Sequence, residues 1–187
     1  SSRQVSFAEV AEARDRAGLP LLFEGAFDAA PLIRDSADGL SPYPVYVSAT
    51  QLAEVDVDLN SGEVRVLRMV AAHDVGRAVL PLGLKGQIEG GVAQGVGYAL
   101  MEGFRPGETT DYGQYRIPTA RDVPEVITLF VENIDPSAGL GAKGAAECAM
   151  VPVAPAIVNA IADATGLRVH DLPATPARLA ALKDRQS

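Results

Sequence analysis

Cysteine occurs once in this chain, at Cys148, and histidine twice, at His73 and His170. One cysteine excludes an internal disulfide. With only two histidines beside it, a Cys/His zinc site or an iron–sulfur cluster built from this chain alone is excluded as well, and no metal ligand is assigned. Basic residues are also scarce: 16 Lys and Arg stand against 24 Asp and Glu, a formal net charge of −8. That balance favours solubility and argues against a nucleic-acid or anionic-membrane partner. No apolar run approaches the roughly 18 residues needed to span a bilayer. No charged-then-apolar leader opens the chain, and its first residue is not Met, which fits a processed or truncated piece. There is no internal repeat and no low-complexity linker. What remains is 187 residues, 48% apolar and 21% charged. This is enough for one globular unit with a sizeable core, at home in a reducing cytoplasm.

Ser6-Phe7-Ala8-Glu9 has the form of a capping box and predicts a short surface helix that stops at Gly18. From Leu19 to Pro44 the chain is punctuated by Pro20, Pro31, Pro42 and Pro44, and reads as an extended arm that needs a partner surface. The period then becomes two. Val55, Val57 and Leu59 alternate with acids, Asn60-Ser61-Gly62 turns, and Val64 and Val66 resume the alternation. A Ser61-Gly62 loop would set Leu59 opposite Val64, Asp58 opposite Arg65 and Val57 opposite Val66, with a bulge near Leu67. The second strand ends at His73-Asp74-Val75-Gly76. A metal or acid–base dyad is conceivable there, but the reading preferred is structural, with Asp74 bonding turn amides ahead of Gly76.

Lys85 to Met101 follows a helical period. Ile88, Val92, Val96, Ala99 and Leu100 form its apolar face, and Gln87, Gly90, Gly91, Gln94 and Tyr98 the other. Four glycines (Gly90, Gly91, Gly95 and Gly97) cost such a helix about 1 kcal/mol each relative to alanine. Close approach of another backbone or of a ligand is the cause to expect, and the residues leave both open. A dinucleotide-binding reading is weak because the glycines fall inside the helical pattern, not in a strand-to-helix turn. A polar loop from Gly103 to Gly113, a strand at Val126 to Val131, a helix holding Ile157, Val158 and Ile161 with its stop at Gly166, a short strand at Arg168 to Leu172 and a last helix from Thr175-Pro176 follow. Before that third helix lies Gly139-Leu140-Gly141-Ala142-Lys143-Gly144-Ala145-Ala146-Glu147. A carboxylate on a glycine loop at the mouth of an apolar segment is a way to present a general base, with desolvation raising its pKa; a solvated surface glutamate is the alternative. The fold expected is α+β, an antiparallel-rich mixed sheet packed with about four helices, as a single unit over 1–187.

Seven runs in order then carry a resemblance: A-E-V-D-V-D-L-N-S-G-E-V-R-V-L-R from Ala53, H-D-V-G-R-A-V from His73, G-Q-I-E-G-G-V-A-Q-G-V-G-Y-A-L from Gly86, D-Y-G-Q-Y-R-I-P-T-A from Asp111, G-A-K-G-A-A-E from Gly141, V-P-V-A-P-A-I-V-N-A-I-A-D-A-T-G from Val151 and D-L-P-A-T-P-A-R-L from Asp171. The chain resembles the C-terminal part of the molybdenum-cofactor-binding large subunit of the xanthine dehydrogenase/aldehyde oxidase family of molybdenum hydroxylases. The resemblance implies part of a larger molybdopterin-binding domain that hydroxylates an aldehyde or an N-heterocyclic carbon with oxygen from water. It implies Glu147 as the general base, and Gln87, Gly144 and Ala145 against the cofactor. That cofactor is a molybdenum-molybdopterin, plain or in its cytosine dinucleotide form. The implied partners are the remainder of the large subunit, iron–sulfur and FAD subunits or domains and a small-molecule substrate, with no nucleic acid and no membrane. The family loop usually reads K-G-V-G-E, so Ala146 replaces a glycine and would be strained at positive φ. The upstream cofactor-holding loops are not in this sequence, so the chain alone is expected to be inactive and to bind no molybdenum. Cys148 is read as a small filler, not as the nucleophile of a Cys-His-Asp protease with His170 and Asp171. A non-catalytic structural or assembly module is the alternative function.

Overall fold

The computed structural model describes residues 4–26 and 45–185. The chain falls into two compact units, Ser1–Pro44 and Val45–Ser187, where the sequence reading expects one unit with an arm at 19–44; the portion of that arm at 27–44 lies outside the described residues. In the first unit, α1 (Phe7–Arg16) carries the expected reciprocal cap. The Ser6 amide donates to the Glu9 carboxylate (2.6 Å) and the Glu9 amide to Ser6 Oγ (3.2 Å). The Arg14 guanidinium donates to the Pro20 carbonyl and lies 4.5 Å from the Phe23 ring centroid.

The second unit is built on a three-stranded mixed sheet in the order β1-β2-β3. Strands β1 (Ala49–Val57) and β2 (Val64–Asp74) are antiparallel, and β3 (Glu125–Val131) lies parallel to β2. A parallel neighbour needs a crossover, and the connection from β2 to β3 contains α2 (Pro81–Leu100). Two further helices follow, α3 (Val153–Thr165) and α4 (Pro176–Asp184). Among the described residues a mixed sheet and four helices, α1 in the first unit and the other three in the second, make the α+β architecture expected. The short strand expected at Arg168 to Leu172 is not formed. That segment has no ladder partner, and Leu167 before it is buried in place of a strand contact.

The hairpin differs from expectation by two residues. Val57 pairs with Val64, Asp56 with Arg65 and Val55 with Val66. The cause is local: Asp58 Oδ1 accepts from the Asn60 and Ser61 amides, and the Gly62 amide donates to the Asp58 carbonyl. This Asx-type turn consumes Asp58 and Leu59, so the loop is longer than two residues. A shift of two keeps every side chain on its face, and the irregularity still falls between Val66 and Arg68, at Leu67.

Ala53, Met69, Ala71 and Val126 line the covered face of the sheet against Ile88, Val92, Val96 and Ala99 of α2 and Val153, Ile157 and Ile161 of α3. The segment Glu147–Thr165 is long and apolar enough to cross a membrane by length and composition alone (mean hydropathy 1.4), contrary to the expectation that no run is. Its Val153, Ala154, Ile157 and Ile161 are instead buried in this core. On the other face Arg68 pairs with Glu54 (3.4 Å) and Glu125 (2.9 Å), and Leu52, Ile127 and Leu129 are exposed.

Candidate active site

Strand alternation sends His73 and Asp74 to opposite faces of β2 at its last two positions. Both are buried. Asp74 Oδ1 accepts from the Gly76 amide (3.0 Å), the turn contact the sequence predicts. Its Oδ2 accepts from Lys143 Nζ at 2.7 Å, in an ion pair of which neither side chain is more than 10% exposed. Burial alone would raise the Asp74 carboxyl. The Lys143 ammonium and the Gly76 amide outweigh it and hold the group below the ordinary carboxylate range.

This pair ties the end of β2 to the loop that carries Glu147. The Lys143 amide donates to the Val75 carbonyl (2.9 Å), and the Arg77 amide to the Gly141 carbonyl (2.9 Å), around a bridge between Gly76 and Ala142. Gly76 has φ +60, and a Cβ there would stand 2.3 Å from the Gly141 carbonyl oxygen, so only glycine lets the two backbones meet.

At the far end of the loop, Glu147–Ala149 form one 3-10 turn. Ala149 is fully buried, and its carbonyl accepts from Gln51 Nε2 at 2.8 Å. Because a carbonyl must receive a hydrogen, that Gln51 atom is the amide nitrogen. Its second hydrogen faces His73 Nε2 at 2.9 Å. His73 therefore accepts through Nε2, and its neutral form carries the proton on Nδ1. Burial lowers its pKa, in keeping with a neutral ring.

Between these anchors the loop lies open. Gly144 and Glu147 are exposed, Ala145 is half-buried, and no hydrogen bond or ion pair from the described residues holds the Glu147 carboxylate. The dry surroundings expected for Glu147 are not met within this chain. Its neighbours are pinned down at Lys143 and Ala149, and the residues between them bridge the gap on the solvent side. Ala146 does not take the positive φ at which an alanine would be strained, since its φ is −90; among the described residues the left-handed non-glycine residue is Leu140, at φ +57. Cys148 Sγ donates to the Gly144 carbonyl (3.6 Å), and burial pushes its thiol up. An activated nucleophile needs the opposite shift.

Helix α2 reaches the same turn. A Cβ on Gly91 would lie 2.6 Å from Ala149 Cβ, one on Gly95 2.4 Å from Val153 Cβ, and one on Gly97 2.6 Å from Pro118 Cδ. Of the four glycines that the helical period singles out, Gly91, Gly95 and Gly97 thus serve packing. Gly90 does not: a Cβ there, or on Gly86, meets nothing within 4 Å. Gly86, Gln87, Gly90 and Gln94 form an exposed stripe of bare backbone and glutamine amides. Gln87 lies one helical turn from the Gly91–Ala149 contact, which makes this stripe the neighbour of the Glu147 turn. Bare backbone with amides that both donate and accept fits the flat, polar edge of a pterin. Among the described residues no three His, Cys, Asp or Glu side chains gather to hold a metal ion. Sequence reasoning missed Gln51 and Lys143 as anchors. An inward-facing glutamine between Ala49 and Ala53, and a lone lysine in a Gly/Ala loop, were the available signals.

The chain is similar to known proteins in sequence and fold. The sequence profile of the molybdopterin cofactor-binding domain matches residues 1–124. A Bacillus subtilis protein named as a probable xanthine dehydrogenase component is 34% identical over 97% of this chain and 24% of its own length. The crystal structure of the aldehyde oxidoreductase from Desulfovibrio desulfuricans superposes with a TM-score of 0.75 at 34% identity, covering 79% of this chain and 17% of that one. Quinoline 2-oxidoreductase from Pseudomonas putida 86 gives a TM-score of 0.67 at 31% identity, over 71% and 18%. The chain thus spans about a quarter or less of the relatives it matches. It belongs to the molybdopterin cofactor-binding domain family, as the part of a molybdenum-binding large subunit of the xanthine dehydrogenase/aldehyde oxidase type.

Proposed function

We propose that this chain is the C-terminal piece of a molybdenum hydroxylase, and that Glu147 is its general base. The observation that carries this reading is the pairing of an open carboxylate, set on a turn fixed at both ends, with the bare Gly86–Gln87–Gly90 stripe of α2 beside it. Gln87, with Gly144 and Ala145, would hold the pterin edge. When bound, the molybdenum-pterin group supplies the centre that takes two electrons from the substrate carbon. Glu147 accepts the proton that a water-derived oxygen gives up as it adds to that carbon. A carboxylate held within reach of the reacting oxygen suits this work, and the rest of the subunit would close the pocket around it. The substrate class is an aldehyde or an electron-poor N-heterocycle, in line with the aldehyde, xanthine and quinoline of the relatives' names. The cofactor is the plain pterin or its cytosine dinucleotide. Electrons leave through iron–sulfur and FAD partners, and the assembly works in the cytoplasm.

The test is Glu147→Gln in this chain assembled with the remainder of a family large subunit. Turnover should fall at least 1,000-fold while molybdenum content stays at the parent level. Retained turnover would remove Glu147 from the mechanism. By itself the chain should be catalytically silent and bind no molybdenum, because a site needs the shell that supports it. Stoichiometric molybdenum in the purified 187-residue chain would contradict that.

A further inference from the structure

We propose that the His73-Asp74 dipeptide is a two-sided positioning element for Glu147. Asp74 fixes the Lys143 end of the loop, and His73, through the Gln51 amide, fixes the Ala149 end. The inference rests on reading Glu147 as the base, but its geometry stands apart from that reading. The two residues are adjacent on β2 and point to opposite faces, and each reaches one boundary of the 144–148 span. Asp74 and Lys143 are 69 positions apart in sequence, and Gln51 and Ala149 are 98 apart. Both links are therefore made by the tertiary fold and not by the loop's own turns. The span between them has few internal restraints. Its Gly144, Ala146 and Glu147 are exposed, and the 3-10 turn bonds within it are short-range. With both ends fixed, a five-residue span has little freedom in where it places its fourth residue. Reacting groups displaced by about 1 Å can lose on the order of 100-fold in rate.

Each arm predicts a separate signature. In the 187-residue chain, the Lys143 amide donates to Val75, the Ala149 amide to Ala146 and the Met150 amide to Glu147, so their hydrogen exchange reports the two anchors. The double variant Asp74→Asn/Lys143→Met removes the charges together and leaves no unpaired ion; it should speed exchange at Lys143 by at least 10-fold and leave Met150 within 3-fold. Gln51→Met should do the reverse, and core amides of β2 and α3 should be unchanged in both. In the cofactor-loaded assembly, at parent molybdenum content, each variant should lower kcat at least 10-fold with KM within 3-fold, and Lys143→Arg should recover most of kcat. Unchanged exchange at both anchors overturns the proposal, as does faster exchange with unchanged kcat in an assembly that Glu147→Gln inactivates. If Glu147→Gln retains turnover, the base reading falls, and the two-sided anchor is then decided by exchange alone.

Discussion

Lys143 Nζ donates to Asp74 Oδ2 at 2.7 Å inside the protein, and this one contact joins the end of β2 to the loop that carries Glu147. A buried ion pair is weak evidence for net stability, because both ions lose their hydration; breaking it from one side is a different matter, since the remaining charge stays buried. Lys143→Met should therefore destabilise the second unit by about 3–5 kcal/mol. The Asp74→Asn/Lys143→Met double variant should lose clearly less than the sum of its single variants. Urea unfolding of the four proteins checks this, and additive losses would mean that the two side chains do not act as a pair.

Two buried groups give the fold an acid-side pH dependence, and they act in sequence. Burial depresses His73 from its ordinary 6.5. The unfolded chain then binds the proton more readily, so stability is full above about pH 6.5 and falls as the pH drops below it. Burial alone would raise Asp74, but the Lys143 ammonium and the Gly76 amide hold it below its ordinary 3.8. Its contribution is present above that value and is lost as the pH falls through its lowered pKa. Thermal melts from pH 8 to pH 3 should show an early decline starting near pH 6.5 and a later one in the carboxylate range. His73→Gln should remove the first and keep the second. An unchanged early decline in that variant would assign it to another group.

Much of the local structure could be read along the sequence because it depends on near neighbours. The capping box of α1, the αL stop at Gly166, the Thr175 cap of α4 and the Asp74–Gly76 turn each depend on residues within a few positions. The apolar stripe of α2 was legible for the same reason, since one helical period decides it. What the sequence concealed is non-local or a matter of competition. Asp58 had a choice between pairing across a two-residue loop and capping its own turn, and the second moved the register by two. The α2 glycines look alike in sequence; Gly91 meets Ala149 and Gly90 meets nothing only because α3's leading turn docks on one side. Gln51 and Lys143 found partners 98 and 69 positions away.

That contrast between adjacent glycines can be measured. Gly90→Ala places a methyl group in open space on a helix, and should stabilise the chain by about 0.5–1 kcal/mol. Gly91→Ala must push Ala149 away from a 2.6 Å approach and should destabilise by about 1–3 kcal/mol. In the assembled subunit, Gly90→Ala should nonetheless lower molybdenum retention, because the methyl stands where we place the pterin. A variant that is more stable and keeps its full molybdenum content would move the cofactor off this stripe.

A last prediction concerns a polar row beneath the sheet. Gln51, Ala71 and Thr128 are register partners across all three strands. Gln51 Oε1 and Thr128 Oγ1 are both buried without a protein partner among the described residues. Gln51 still has work for its nitrogen, at Ala149 and His73, but the Thr128 hydroxyl makes no contact that offsets its burial. Replacing an unpaired buried hydroxyl with an isosteric methyl removes a desolvation cost of about 1–3 kcal/mol. Thr128→Val should therefore raise the unfolding midpoint, corresponding to about 1 kcal/mol, and leave the exchange of the Ala149 and Met150 amides unchanged. A fall in stability would mean that the hydroxyl is bonded after all, through a water bridging to Gln51 Oε1 over the small Ala71 side chain. In that case Gln51→Met should cancel the effect of Thr128→Val in the double variant, since the two would then share one partner.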